Sequence, residues 1–278
     1  MKGLQIISLE PSNPRTLYST KEEYMSYQHI QLEVKDAMGI ITLNREPLNV
    51  LNIAMMKEIN QALDSLKGAQ IKLLLFKAAG KAFSAGVDVG EHLGDQVNEM
   101  IEVFHGIFRR MDALPAVSIA SVQGAALGGG CELALYCDLV IASEKAKFGQ
   151  PEIQVGVFPP IAALIFPRIT SRKKALELVL SGEVIGAQEA LALGMVNKVV
   201  AAETLEEELG KFCGKFLGLS GLVLALTKKA FNAGLMDPAA QGLKEVEKVY
   251  LQELMKTKDA EEGLKAFLEK RKPIWKES

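Results

Sequence analysis

The sequence predicts an α/β protein. Up to about Val200, short β-rich runs alternate with helical stretches, as in Ile40-Ile41-Thr42-Leu43 and Ala116-Val117-Ser118-Ile119. Beyond Ala201 the pattern is almost purely helical. With 278 residues and 49% hydrophobic content, the chain can bury a large core. The expected organisation is an N-terminal extension over 1–28, an alternating core over 29–200 and a helical region over 201–278.

The extension contains Pro11, Pro14 and many polar residues, and reads as lying outside the packed core. Within the core, the apolar run Ile71-Lys72-Leu73-Leu74-Leu75-Phe76 is a strand leading into a turn of small residues, Lys81-Ala82-Phe83-Ser84-Ala85-Gly86-Val87-Asp88-Val89. A second unit runs from Ser118 to Glu152 in the order strand, turn, helix, strand, turn. Val117, Ile119 and Val122 form its apolar run, Gly128-Gly129-Gly130 break it, and Leu133, Ala134, Leu135 and Cys137 continue with helical character. In the last region Leu243, Val246, Tyr250 and Leu254 make an apolar helical stripe.

Two carboxylates in the second unit point to chemistry. Glu132 follows the triple glycine and Glu152 stands twenty positions later, in Gly149-Gln150-Pro151-Glu152. A glycine turn that opens a helix offers free backbone N–H groups to developing negative charge, and a carboxylate one turn inside can handle a proton beside it. The same residues also suit a plain strand–helix turn with an early-turn carboxylate facing the helix dipole. The glycines are not a Walker loop, because no Lys-Ser or Lys-Thr follows, and their spacing does not match the dinucleotide fingerprint.

Composition narrows the classes. A formal charge of −2 provides no basic field for nucleic acid. Cys131, Cys137 and Cys213 are few and odd in number, in apolar surroundings, and read as buried thiols rather than a disulfide frame or a zinc site. His29, His92 and His105 are the only histidines, and no Gly-x-Ser-x-Gly elbow occurs, which disfavours a serine hydrolase and a metal centre. No run approaches eighteen apolar residues and the N-terminus lacks a signal-peptide core, so the expectation is a soluble cytoplasmic enzyme with no membrane contact.

The motifs Lys-Ala-Phe-Ser-Ala-Gly-Val-Asp from Lys81, Gly-Ala-Ala-Leu-Gly-Gly-Gly-Cys-Glu-Leu-Ala from Gly124 and Phe-Gly-Gln-Pro-Glu-Ile from Phe148 stand in one order and spacing. In these the chain resembles the crotonase, or enoyl-CoA hydratase/isomerase, family over about residues 29–275. Further similarity lies in Leu43-Asn44-Arg45, Leu48-Asn49-Val50-Leu51, Ala187 to Val199 and Phe267 to Lys272. The resemblance implies a spiral of ββα turns followed by a C-terminal helical region that packs trimers, commonly two stacked as a hexamer.

It also implies roles. The thioester oxygen would sit between the N–H groups of Val87 and Gly129, with Glu132 and Glu152 holding and activating water. The substrate would be an acyl-CoA thioester, with coenzyme A arriving as part of it and no separate cofactor. Pro47, Leu48 and the turn Ala85, Val87, Asp88 and Val89 would line the CoA arm, and Phe267 and Lys270 would reach its adenine end, often from a neighbouring subunit. Glu46 departs from the pattern, standing where many relatives have Lys.

A second departure follows Glu152, where Gly156-Val157-Phe158-Pro159-Pro160-Ile161-Ala162-Ala163-Leu164 replaces a glycine-rich run. Phe158 and its neighbours are expected to make a stiffer, drier pocket floor. With Leu48 to Met56 and Ser84 to Val89, this segment is similar to the hydratases of cyclohexa-1,5-diene-1-carbonyl-CoA in anaerobic aromatic degradation. Expected alternatives are an ordinary short-chain trans-2-enoyl-CoA hydratase, an enoyl-CoA isomerase and a non-catalytic binding protein of the same fold.

Overall fold

Alternation within one strand shows how this sequence builds layers. In Leu73-Leu74-Leu75-Phe76, Leu73 and Leu75 join one buried cluster while Leu74 and Phe76 join another, because successive side chains leave opposite faces of a strand. A strand apolar on both sides needs cover on both sides.

The computed structural model describes residues 27–92, 94–236, 252–253 and 256–278. Nearly all of the N-terminal extension, and the stripe of Leu243, Val246, Tyr250 and Leu254, lie outside the described residues. Nine strands are described: β1 (Ile30–Lys35), β2 (Met38–Leu43), β3 (Leu73–Ala78), β4 (Val117–Val122), β5 (Ala125–Leu127), β6 (Leu139–Ser143), β7 (Lys147–Gly149), β8 (Val184–Gly186) and β9 (Lys198–Val200). β1 and β2 form an antiparallel hairpin through Asp36 and Ala37, both at positive φ, a turn whose twist matches that of the strands. The remaining strands of the large sheet add in parallel, in the order β1-β2-β3-β4-β6-β9. A second sheet, β5-β7-β8, was not foreseen from the sequence; its strands are three residues long and carry no readable period.

The crossovers are helical: α1 (Ile53–Ser65), α2 (Gln96–Ala113), α3 (Gly129–Tyr136), α4 (Pro160–Ile169), α5 (Arg172–Ser181) and α6 (Ala187–Ala192). α2 turns Met100, Phe104, Ile107, Phe108 and Met111 inward at helical spacing, against the main cluster. After β9, α7 (Leu205–Leu217), α8 (Gly221–Met236) and α9 (Lys258–Leu268) follow. α7 covers the other face of the sheet with Leu205, Leu209, Phe212 and Cys213. α8 is tied to the sheet by Lys228, whose ammonium lies 2.6 Å from Asp138 and donates to the Ala116 carbonyl at 3.1 Å. All three cysteines are free and buried, as their apolar settings suggested. Among the described residues no single helix is long and apolar enough to cross a membrane.

Candidate active site

The small-residue turn after β3 is held by its neighbours' backbone. Leu51 donates to the Gly86 carbonyl at 2.9 Å and accepts from Asp88 at 3.0 Å. That parallel bridge brackets Val87, so the N–H of Val87 points away from Leu51. Asn49 is fully buried beneath the turn, and its amide donates to the carbonyls of Ala79 and Ala82. Ser84 donates to the Asn49 carbonyl at 2.7 Å.

The glycine turn packs directly on this one. Leu127 donates to the Ser84 carbonyl at 2.9 Å. Gly128, at φ 50°, reverses the chain into α3, a backbone state that favours glycine. A methyl group on Gly129 would stand 3.4 Å from the Val87 nitrogen and 2.6 Å from Val87 Cγ2, with Phe104 Cζ of α2 at 3.0 Å. The N–H groups of Val87 and Gly129 thus lie on adjoining backbone, and no backbone acceptor among the described residues takes either. Two such donors suit an oxygen that gains negative charge.

Glu132, in the first turn of α3, is 2% exposed. Its carboxylate accepts from the Ala162 N–H at 2.8 Å, and the Ile161 N–H beside it also favours the charged form. These are early N–H groups of α4, left without intrahelical partners. Pro160 occupies the first helical position, where its missing N–H costs nothing. Burial pushes the Glu132 carboxyl up to about 8, against the pull of the Ala162 N–H and with the added repulsion of Glu152.

Glu152 sits in the 3-10 turn Pro151–Val155, half-buried. One of its oxygens lies 2.6 Å from where a Gly128 methyl would stand, so it overhangs the glycine turn. The side-chain amide of Gln150, fully buried, ends 3.1 and 3.2 Å from the two Glu152 oxygens, and it donates to them in the amide orientation that places its nitrogen there. Burial pushes the Glu152 carboxyl up to about 7. Two carboxyls that titrate near neutrality beside unpaired N–H donors can hold one proton between them and transfer it.

The sequence profile of the enoyl-CoA hydratase/isomerase family matches residues 33–278. The chain belongs to that family. A probable enoyl-CoA hydratase of Rhizobium meliloti is 39% identical over 256 residues, covering 91% of this chain and 99% of that protein. A cyclohexa-1,5-dienecarbonyl-CoA hydratase of Thauera aromatica is 36% identical over 247 residues, covering 88% and 95%. The crystal structure of an enoyl-CoA hydratase subunit from Geobacillus kaustophilus superposes with a TM-score of 0.84 at 35% identity, covering 91% of this chain and 99% of that one. The enzyme is therefore of enoyl-CoA hydratase type, on a crotonase fold.

Of the residues singled out in the sequence, the structure sets Gly129 against Val87, places a Glu152 oxygen over the glycine turn and buries Glu132 in the first turn of the helix which that turn opens. Leu48 joins them through its carbonyl, which accepts from Ala85 at 2.9 Å. Pro47, Leu48 and Val89 are exposed, while Ala85 and Asp88 are half-buried. Phe158 has 65% of its surface exposed in the single chain. Helix α4 starts two residues after it and buries Ile161 and Ala162, so the apolar cover falls on those residues. The side chain of Phe267 lies outside the described residues. Lys270 is exposed at positive φ beyond α9, and the neighbouring tail bonds to Glu262, Asp259 and the carbonyl of Gly218. The sequence reading missed Asn49, Ser84, Phe104 and Gln150 as framework of the site. Asn49 carried a signal, a polar residue within an otherwise apolar Leu-Asn-Val-Leu run.

Proposed function

We propose that the enzyme adds water to cyclohexa-1,5-diene-1-carbonyl-CoA, giving 6-hydroxycyclohex-1-ene-1-carbonyl-CoA, a step of anaerobic benzoyl-CoA degradation. The observation that carries the hydration chemistry is the pair Glu132 and Glu152, poised at about 8 and about 7 beside the N–H groups of Val87 and Gly129. One carboxylate removes a proton from water as its oxygen bonds to the β carbon. Charge moves onto the thioester oxygen, where each N–H donor is worth about 3 kcal/mol of barrier. The dienolate then takes a proton from the other carboxyl at the far γ carbon, so the addition is 1,4. The reaction as drawn uses no cofactor beyond the CoA of the substrate.

The cyclic acyl group is supported by the Thauera aromatica relative and by the apolar Pro159 to Ala162 segment against Glu132. In this reading the CoA arm runs along Pro47, Leu48, Ala85, Asp88 and Val89, and Phe267 and Lys270 serve the adenine end from a neighbouring subunit of a trimer or hexamer in the cytoplasm. Hydration of linear short-chain trans-2-enoyl-CoA is the second reading, favoured by the outward Phe158.

Turnover of the cyclic diene and of crotonyl-CoA, with product masses, separates the two. The cyclic diene is expected to be far preferred, and Pro160-Ile161-Ala162-Ala163 replaced by Gly-Ala-Gly-Gly is expected to erode the preference by about 1 to 3 kcal/mol. In deuterated water the label is expected at C3 of the product ring. Label at the α carbon, or a preference for crotonyl-CoA, would assign the enzyme to the linear hydratases.

A further inference from the structure

We propose that Glu91 is a positioning residue for the Val87 N–H, acting through the segment Leu51–Ile53; this rests on the oxyanion role given to Val87 above. Glu91 lies four residues beyond Val87 in the 3-10 turn Val89–His92, and its Oε2 accepts the N–H of Ile53 at 2.7 Å. Ile53 is the first residue of α1, and Asn52 before it caps that helix by accepting from Met55 at 3.0 Å. One residue further back is Leu51, whose backbone bonds on both sides of Val87.

These contacts close a ring. Leu51 donates to Gly86 and accepts from Asp88; Glu91 donates its N–H to the Asp88 carbonyl at 3.2 Å; and the Glu91 carboxylate returns to Ile53. Without that carboxylate the ring opens on one side. The Leu51 bridge to Gly86 and Asp88 would remain, as would the bonds to Asp88 from Glu91 at 3.2 Å, from Gly90 at 2.9 Å and with His92 Nδ1 at 2.9 Å, but among the described residues no side chain of the turn would reach α1. The Val87 N–H would then lose its alignment with the Gly129 N–H toward a shared acceptor oxygen.

Asn52 caps α1 through the Met55 N–H, which leaves the Ile53 N–H without a partner in its own helix; Glu91 supplies that partner from the turn. Its setting is not favourable. Burial pushes the Glu91 carboxyl above its ordinary range while the Ile53 N–H opposes this, with Asp88 and Glu99 adding repulsion and Arg45 attraction. A carboxylate retained there against desolvation and two like charges fits a geometric task, since it is the group that spans from the turn to α1.

The test reads the bound carbonyl directly. Butyryl-CoA labelled with ¹³C at the thioester carbonyl is bound to the whole enzyme, and its infrared stretch is compared with that in solution. In the wild type the band is expected to shift to lower frequency. In Glu91→Ala most of that shift is expected to vanish, with kcat down about tenfold to a hundredfold and KM changed little. Glu91→Gln keeps an acceptor oxygen for Ile53 and is expected to restore both. Glu91→Asp, one methylene too short, is expected to fall between, and serves if the alanine variant does not fold. A wild-type shift retained in both Glu91→Ala and Glu91→Asp overturns the role of Glu91 alone. Absence of any shift in the wild type overturns the oxyanion reading, and the Glu91 proposal with it.

Discussion

Glu132 is held between opposing forces. It is almost fully buried next to a second carboxylate, which favours its protonated form, yet two N–H groups at the start of α4 point at it and favour the charged form. A carboxyl balanced this way can change protonation within a catalytic cycle. Glu132→Gln and Glu152→Gln are each expected to leave CoA-ester binding nearly intact and lower turnover about 10²-fold to 10⁴-fold. The double variant is expected to lose less than the product of the singles, because both groups act on one water; near-normal turnover in either single variant would remove that residue from the proton-transfer scheme. The same balance has a stability consequence. Glu132 is ordinarily protonated below 4.5 and here up to about 8, so between these values the folded state binds more protons than the unfolded one. Stability from this group is then full below the lower value and lost as pH rises through the upper one. The melting temperature of Glu132→Gln relative to wild type is expected to improve from pH 5 to pH 9, and a constant difference would contradict the assignment.

At the scale of elements, the site depends on how closely two turns approach. A methyl on Gly130 would stand 2.6 Å from the Ser84 carbonyl oxygen and 2.5 Å from its Cβ, so Gly130→Ala must push the glycine turn off the Val87 turn. The expected result is a loss of about 1 to 3 kcal/mol in stability together with a large loss of turnover. Gly210 in α7 has nothing within 4 Å of such a methyl; Gly210→Ala is expected to gain up to about 1 kcal/mol with turnover unchanged. Equal melting temperatures for the two variants would show that the turns are not in the tight contact described. This close approach also explains what could be read in advance. Contiguous apolar runs such as β3 and α3 were legible, and the positions of both glutamates in turns beside them were too, because their motifs are contiguous. The three-residue strands of the second sheet were not legible, since pairing partners rather than local pattern define them. The outward position of Phe158 was not legible either, because being apolar does not reveal which side of a helix start a residue faces, and α4 begins two residues after it. Gln150 acts across two residues on Glu152, a contact that only the folded turn creates.

Across the whole molecule, several large apolar side chains of the single chain lie in the open. Phe231 on α8 is 67% exposed, Ile274 in the tail 66%, Phe158 65% and Val155 62%. Exposed groups of this size are the kind that subunit contacts cover, and the proposed trimer or hexamer supplies such contacts. The C-terminal region is already engaged with its own core: Lys228 ties α8 to Asp138, and the Glu277 carboxylate pairs with Lys72 at 2.9 Å. What remains for neighbours among the described residues is the outer side of those helices; the sequence adds the apolar stripe Leu243, Val246, Tyr250 and Leu254, which lies outside the described residues. Truncation before Leu243 removes that stripe, α9 and the tail at once. It is expected to yield monomers or aggregates in sedimentation while the full chain sediments as a trimer or hexamer. To separate assembly from folding, Phe231→Glu in the full chain is the milder companion, because that side chain is 67% exposed and belongs to neither buried cluster among the described residues. It is expected to weaken association while leaving the melting transition cooperative. A truncated chain that still sediments as a well-behaved trimer would remove the C-terminal region from the assembly.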